Sequence, residues 1–284
     1  MSIEKVHNST KEFVVGADDA GTGALAGELI IVAVKAPKDW TLEGLNDSKK
    51  LSEKKLKVMF NKIIEEEYKK VIDFVSWSTS PSRIDNVGIA ECMQESYAEV
   101  FSSLYCTKSL IVMDGLLEFK KGGHNYDIVN VIKADSQVPT VMAASILAKN
   151  FCDDILIRAN VNYPQYGWDK NKGYGTKDHL EAIGKNGPCM HHRFSYGSLK
   201  KVTKFTYKYG TKYLLEGKIH REGGPAIEYS NGDKEWRVQG KRHRLDGPAI
   251  EHKNGNKHWY YAGEFIECSS QKEFESLIKL RPFW

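Results

Sequence analysis

A strong charge of either sign is missing from this chain. Its 284 residues carry 41 basic and 37 acidic side chains, a net charge of only +4. Such a balance is common in ordinary enzymes, and any basic groove must come from placement rather than total charge. Cysteine is also sparse. Cys92, Cys106, Cys152, Cys189 and Cys268 are odd in number, scattered, and never form a C-x-x-C pair. That argues against a disulfide framework and a thiolate zinc site, and fits a reducing cytoplasm. Long apolar runs are absent too: the longest, Leu29 to Val34, is far too short to span a bilayer. Met1 to Glu12 is polar and mixed in charge, unlike a secretory signal. The expectation is a cytoplasmic monomer with no membrane contact.

What is present is enough for a sizeable core. Hydrophobic residues make up 41% and charged residues 27%, near the averages for globular domains. Phe13 to Ala17 and Leu29 to Ala36 read as neighbouring strands joined by a Gly-rich connection. Ser52 is a good N-cap for a helix with Leu56, Met59, Phe60, Ile63 and Ile64 on one stripe. Strands are predicted over Val71 to Trp77, Ser109 to Met113 and Ile128 to Ile132. Helices are predicted over Arg83 to Tyr105 and Val138 to Arg158. This order defines an α/β class, a mixed sheet flanked by helices.

Four carboxylates, Asp18, Asp19, Asp114 and Asp135, follow buried strands or sit where strands end. A lone aspartate there is usually a turn former. Converging acids from separate strands, however, stay ionised together only if a cation neutralises them. Oxygen ligands without His or Cys select Mg²⁺ or Mn²⁺ over zinc. A pair of such ions can hold a phosphodiester and activate water.

The local sequences sharpen this reading. Asp18-Asp19-Ala20-Gly21-Thr22-Gly23 resembles the Asp-Glu-Ala-Gly-Arg-Gly opening of ribonuclease HII. Leu45 to Ser52 matches that family's second signature unchanged. Asp114-Gly115 is similar to its third, and Lys133-Ala134-Asp135 with Ala143 to Lys149 to its fourth. Tyr163 to Gly167 with Lys172 to Thr176 resembles a later block, and His192-Arg193 the closing one. The resemblance covers residues 14 to about 196 and implies a ribonuclease H-like core with a two-metal centre of Mg²⁺ or Mn²⁺. The implied substrate is an RNA–DNA hybrid or a DNA duplex containing ribonucleotides, cut to leave a 3′-hydroxyl and a 5′-phosphate. By motif, Asp18, Asp19, Asp114 and Asp135 would be the catalytic metal ligands. The loop Gly21-Thr22-Gly23 would bind substrate, with Gly21 and Gly23 offering backbone groups to the ribose 2′-hydroxyl. Lys49 and Lys50 would contact phosphates, and Tyr174 would stack near the junction. Asp153 ranks below the four acids, as a helix-surface or supporting residue.

Four positions depart from the family pattern. Its glutamate is Asp19 here, the arginine of Gly-Arg-Gly is Thr22, the proline that follows is Ala24, and the arginine of Thr-Arg-Asp is Cys152. A carboxylate one methylene shorter should fall roughly 1 Å short of an octahedral ion, which Mg²⁺ tolerates less well than Mn²⁺. A nuclease fold that grips duplexes with weakened or no cleavage is the alternative these changes raise.

Beyond about residue 200 the texture changes. Gly217 to Gly240 resembles Gly240 to Gly263 at a period of about 23 residues, with Gly224 to Glu228 recurring as Gly247 to Glu251 and Trp236 as Trp259. The pairs Asn231-Gly232 and Asn254-Gly255 predict two-residue type I′ hairpins, and Tyr209 to Gly217 reads as a degenerate first unit. We therefore expect a catalytic domain over 1–200 and a small all-β hairpin-repeat domain over 201–284, ending in a helix around Gln271 to Leu280. The pattern looks like hairpin repeats of large phages and other viruses. Lys218-Ile219-His220-Arg221 and Lys241-Arg242-His243-Arg244 are either a basic edge for nucleic acid or surface charges interleaved with Glu222, Glu228, Asp246 and Glu251. A protein or nucleic-acid partner through these repeats is expected. His220 and His243 lack a second ligand at zinc spacing.

Overall fold

A computed structural model describes residues 3–115, 119, 126–197, 199, 204–215, 218–221 and 224–280. Packing divides the chain into two compact units, Met1–His179 and Leu180–Trp284. The His192-Arg193 block thereby groups with the repeats rather than with the other motif blocks.

The first unit opens with a short helix α1 (Glu4–His7), then β1 (Phe13–Ala20), β2 (Leu29–Pro37), α2 (Glu53–Tyr68) and β3 (Asp73–Thr79). Two helices follow, α3 (Pro81–Val87) and α4 (Ile89–Leu104), then the strands β4 (Ser109–Asp114) and β5 (Ile128–Val131). The long α5 (Pro139–Asn160), the short α6 (Trp168–Asn171) and α7 (Lys177–Asn186) complete this stretch, the division of units falling within α7. The sheet order is β3-β2-β1-β4-β5. β2 runs antiparallel to β1 and β3, while β1, β4 and β5 are parallel. The α/β reading, a mixed sheet with flanking helices, describes this unit.

One predicted element was too long. The helix expected over Arg83 to Tyr105 is two helices, parted at Gly88, whose φ of +90° no α-helix accommodates. The third strand also lies two residues later than its apolar pattern suggested, over Asp73–Thr79. Its pairing with β2, Leu29 opposite Thr79, sets that register.

Side-chain alternation along β2 assigns the two faces of the sheet. Ile30, Val32, Val34 and Ala36 pack with Met59 and Ile63 of α2 and with Ala143, Ala144, Ile146 and Leu147 of α5. Leu29, Ile31 and Ala33 are equally buried and point to the opposite side, where α4 packs on β2 and β3. The alanines of α5 let it lie close on β1. Closest of all is Gly16, where a Cβ would come within 2.4 Å of Thr140 Oγ1 and of the Val141 backbone nitrogen.

In the second unit the strands are β6 (Lys204–Tyr207), β7 (Gly210–Leu215), β8 (Lys218–Ile219), β9 (Ile227–Tyr229) and β10 (Lys234–Glu235). Then come β11 (Arg237–Val238), β12 (Lys241–Arg242), β13 (Ile250–Glu251), β14 (Lys257–Tyr261), β15 (Glu264–Ile266) and the closing helix α8 (Gln271–Leu280). The small all-β reading describes this region. Its type I′ turns, however, sit elsewhere than predicted. Gln239-Gly240 and Ala262-Gly263 carry positive φ at both central positions, 49° with 80° and 49° with 98°, as a type I′ turn requires. At the Asn-Gly pairs only Gly232 and Gly255 do. There the asparagine side chain takes over: Asn231 Oδ1 accepts from the Asp233 N–H and Asn254 Oδ1 from the Asn256 N–H, shaping a longer loop.

The repeats share one internal clamp. Arg221 lies 3.7 Å over the Tyr213 ring and donates to Glu228 and the Pro225 carbonyl; Arg244 lies 4.0 Å over Trp236 and donates to Glu251 and the Pro248 carbonyl. His220 and His243 accept from the backbone N–H of Gln239 and Ala262, within those type I′ turns. The recurring His-Arg pairs thus hold hairpins together. Glu222, Gly217 and residues 200–203 of the junction lie outside the described residues. No helix among the described residues is long and apolar enough to cross a membrane.

Because the Gly16 contact is with helix backbone, Gly16→Ala should force β1 and α5 apart and destabilise the protein by roughly 1–3 kcal/mol. Chemical denaturation of the variant checks this, and an unchanged midpoint would refute the close packing.

Candidate active site

The strand arrangement decides where the acids go. β1 and β4 are parallel, with Ala17 opposite Met113, so Asp18 and Asp114 emerge at the same end of adjacent strands. Asp18 pairs with Val32 and Asp19 with Ile31, and paired residues share a face. Asp18 therefore faces α5, where the Ser145 hydroxyl bonds it. Asp19 faces α4, where Tyr97 Oη donates to its Oδ1 at 3.4 Å. Two consecutive aspartates thus reach one cleft from opposite faces of the sheet.

That cleft has a volume of about 490 Å³ and is lined by Asp18, Asp19, Gly21, Thr22, Gly23, Ser48, Lys49, Asp114, Ser145, Lys149 and Tyr174, with Ala20. Seven of the ten residues singled out in the sequence as substrate or metal contacts converge here besides Asp114: two acids, the three loop residues, Lys49 and Tyr174. Two do not line it. Lys50 points to solvent beside Asp47, 3.6 Å away, and Asp135 is buried in the turn Ala134–Ser136. Asp135 joins the site indirectly, because Lys49 Nζ donates to its Oδ2 at 2.8 Å. Asp153 pairs with Lys149 at 2.7 Å, holding a lysine whose ammonium lies 5.7 Å over the Tyr174 ring.

Each acid in or near the cleft is engaged. Thr22 Oγ1 donates to Asp19 Oδ2, made possible by Gly21, whose φ of +87° turns the chain back after β1. The Ala134 N–H donates to Asp114 Oδ1 at 2.7 Å. Among the described residues no three Asp, Glu, His or Cys side chains are grouped so as to hold an ion as they stand. The donor chemistry nevertheless fits a hard divalent cation: Asp18, Asp19 and Asp114 share the cleft without a His or Cys ligand.

Electrostatics points the same way. Burial, with help from Asp19 and Asp114 and against the Ser145 hydrogen bond, pushes Asp18 up to about 7. Burial also raises Asp19, opposed by the Thr22 and Tyr97 hydroxyls. Tyr97, buried among these acids, is raised well above its usual range and stays a hydrogen-bond donor. Carboxylates whose charged form is disfavoured by burial and by neighbouring acids make this cleft a functional-site candidate.

Sequence reasoning did not single out Ser48, Ser145, Lys149 or Tyr97. The first three lie inside recognised motif blocks, and Ser48 and Ser145 hydrogen-bond each other at 2.9 Å. Tyr97 has no motif around it; only the packing of α4 brings it to the site.

A mixed sheet with an acidic cleft at the ends of its central strands fits a nuclease of the ribonuclease H type. The family model for ribonuclease HII matches residues 15–205, and the chain belongs to that family. It is 35% identical to ribonuclease HII of Chlamydia trachomatis over 188 residues, 66% of this chain and 83% of the relative. The ribonuclease H2 of Pyrococcus horikoshii shares the fold with a TM-score of 0.56 at 23% identity, covering 66% of this chain and 96% of that one. Bst-RNase HIII, solved in complex with Mn²⁺, gives 0.55 at 17% identity, over 70% and 72%.

The Asp18 shift has a sign. The folded value, about 7, exceeds the ordinary 3.8, so this group favours the folded state at low pH and loses that contribution as pH rises from about 4 to 7. In metal-free protein, Asp18→Asn should therefore gain stability over wild type, by roughly 3 kcal/mol more at pH 8 than at pH 5. Melting temperatures in chelator at both pH values check it; an equal difference at both would contradict the shift.

Proposed function

We propose that this chain hydrolyses the RNA strand of RNA–DNA hybrids, or DNA duplexes at embedded ribonucleotides, leaving 3′-hydroxyl and 5′-phosphate ends. The observation that carries this is the meeting of Asp18, Asp19 and Asp114 with the Gly21-Thr22-Gly23 turn, two lysines and Tyr174 in one cleft. Asp18, Asp19 and Asp114, with Asp135 after release of Lys49, would hold Mg²⁺ or Mn²⁺; the Mn²⁺ bound to Bst-RNase HIII supports the choice. When bound, the cations neutralise the acids and polarise the scissile phosphate.

The chain's own groups do the rest. Gly21 and Gly23 let backbone approach a ribose, whose 2′-hydroxyl separates RNA from DNA. Lys49 and Lys149 attract backbone phosphates without reading sequence. Tyr174, exposed at the cleft wall, offers a ring for stacking. Free cysteines at all five positions fit a reducing cytoplasm; the chain would act as a monomer, and the repeats would serve a protein or nucleic-acid partner.

The test is the full chain with a duplex carrying one ribonucleotide and with an all-RNA strand hybrid, each in Mg²⁺ and in Mn²⁺. Asp114→Asn should lower cleavage at least about a hundredfold while duplex binding stays within a few fold, since the ligand loses its charge and the phosphate contacts remain. Near-normal cleavage by that variant would refute this centre. Binding without cleavage by the wild type would leave the nucleic-acid-binding reading instead.

We place the catalytic region at 1–200 and the repeat region at 201–284, because every motif block precedes Lys200. Phe194 packs with Leu214, Tyr207 and Ile219, so a chain ending at Lys200 should keep its cleavage rate at saturating substrate but melt at a lower temperature. Loss of catalysis in a folded truncated chain would place part of the machinery in the repeats.

A further inference from the structure

We propose that Thr22 and Tyr97 are positioning residues that clamp the short Asp19 carboxylate in the orientation cation binding needs. This inference rests on the metal-dependent reading above.

Asp19 and Thr22 are two of the departures from the family pattern, and they touch each other. Thr22 Oγ1 donates to Oδ2 of Asp19, and Tyr97 Oη donates to Oδ1. The two hydroxyls come from different directions. Thr22 stands three residues on, beyond the Gly21 turn, and Tyr97 lies on α4, which packs on the face of the sheet to which Asp19 points. A carboxylate with one donor on each oxygen has little freedom about χ2, yet each oxygen keeps a further lone pair for a cation. Thr22 makes the closer contact and Tyr97, at 3.4 Å, the longer one; outer partners of this sort orient metal ligands.

The pairing also accounts for threonine at this position. Its hydroxyl sits on Cβ, within reach of a side chain three residues back across a tight turn. A glutamate in place of Asp19 would carry its carboxylate a methylene further, past both hydroxyls. The shorter acid and the threonine are therefore a matched pair, and Asp19 is more than a glutamate with lost reach. The two accounts differ in one outcome. Lost reach predicts that Asp19→Glu improves Mg²⁺ binding; the clamp predicts that it weakens both ions.

The experiment measures Mn²⁺ and Mg²⁺ affinity of the full chain by calorimetry without substrate, alongside kcat and KM on the hybrid and a melting curve for each variant. Thr22→Val should weaken Mn²⁺ binding about tenfold and lower kcat more than it raises KM, while Thr22→Ser restores affinity. Tyr97→Phe should act in the same direction, and Asp19→Glu should weaken both ions. Folded Thr22→Val and Tyr97→Phe proteins that bind Mn²⁺ like wild type would overturn the clamp alone, as would tighter Mg²⁺ binding by Asp19→Glu. A wild-type chain that binds neither ion would overturn the metal-dependent function beneath it.

Discussion

Keeping several carboxylates at the end of a buried strand is the constraint on which the first unit turns. β1 is the middle strand of an apolar sheet, and at its end Asp18 and Asp19 sit next to Asp114 in a cleft partly closed to water. Burial and neighbouring acids disfavour the charged forms of Asp18 and Asp19. Ser145 for Asp18, and Thr22 and Tyr97 for Asp19, answer part of that cost, while the Ala134 N–H bonds Asp114 and Lys49 bonds Asp135.

Strand geometry turns this constraint into a site. Consecutive residues on a strand point to opposite faces, so two adjacent aspartates can meet one cleft only where the strand ends and both faces open together. The parallel neighbour β4 brings a third acid level with them. Two helices then supply the partners, α5 from one face and α4 from the other. The close approach of α5 at Gly16 keeps Ser145 and Lys149 at working distance, which ties packing in the core directly to polar contacts in the cleft.

The repeat region works on a different principle. Each hairpin lays an arginine over an aromatic ring of the unit before it and secures that arginine with its own glutamate. Arg221 covers Tyr213 and Arg244 covers Trp236. The next ring in the series, Trp259, meets Gln271 and Phe274 of α8 instead. The helix thus ends the array where another repeat would leave an open face, as terminal units of solenoids do. Glu235, buried between Arg237 and Arg242, would be raised by burial but is drawn below its usual range by those guanidinium groups. Arg221, Arg237, Arg242 and Arg244 are thus paired with acids within the repeats.

Ordered motifs in the sequence determined the family, the class of fold, the three acids that line the cleft and the Gly-rich turn, because those features are local: a strand ends, a glycine turns, an aspartate follows. The 23-residue period likewise revealed the hairpins, although their type I′ turns moved to Gln239-Gly240 and Ala262-Gly263, since Asn231 and Asn254 spend their side chains on an alternative loop. Tertiary structure alone decided that Lys49 holds Asp135, that Lys50 faces away, and that Tyr97, 78 residues from Asp19, reaches its carboxylate. It also decided that Asp19 and Thr22 act on each other. These facts depend on which face of β1 each residue takes and on which helix covers that face, and such pairings across the chain leave no periodicity or spacing to read.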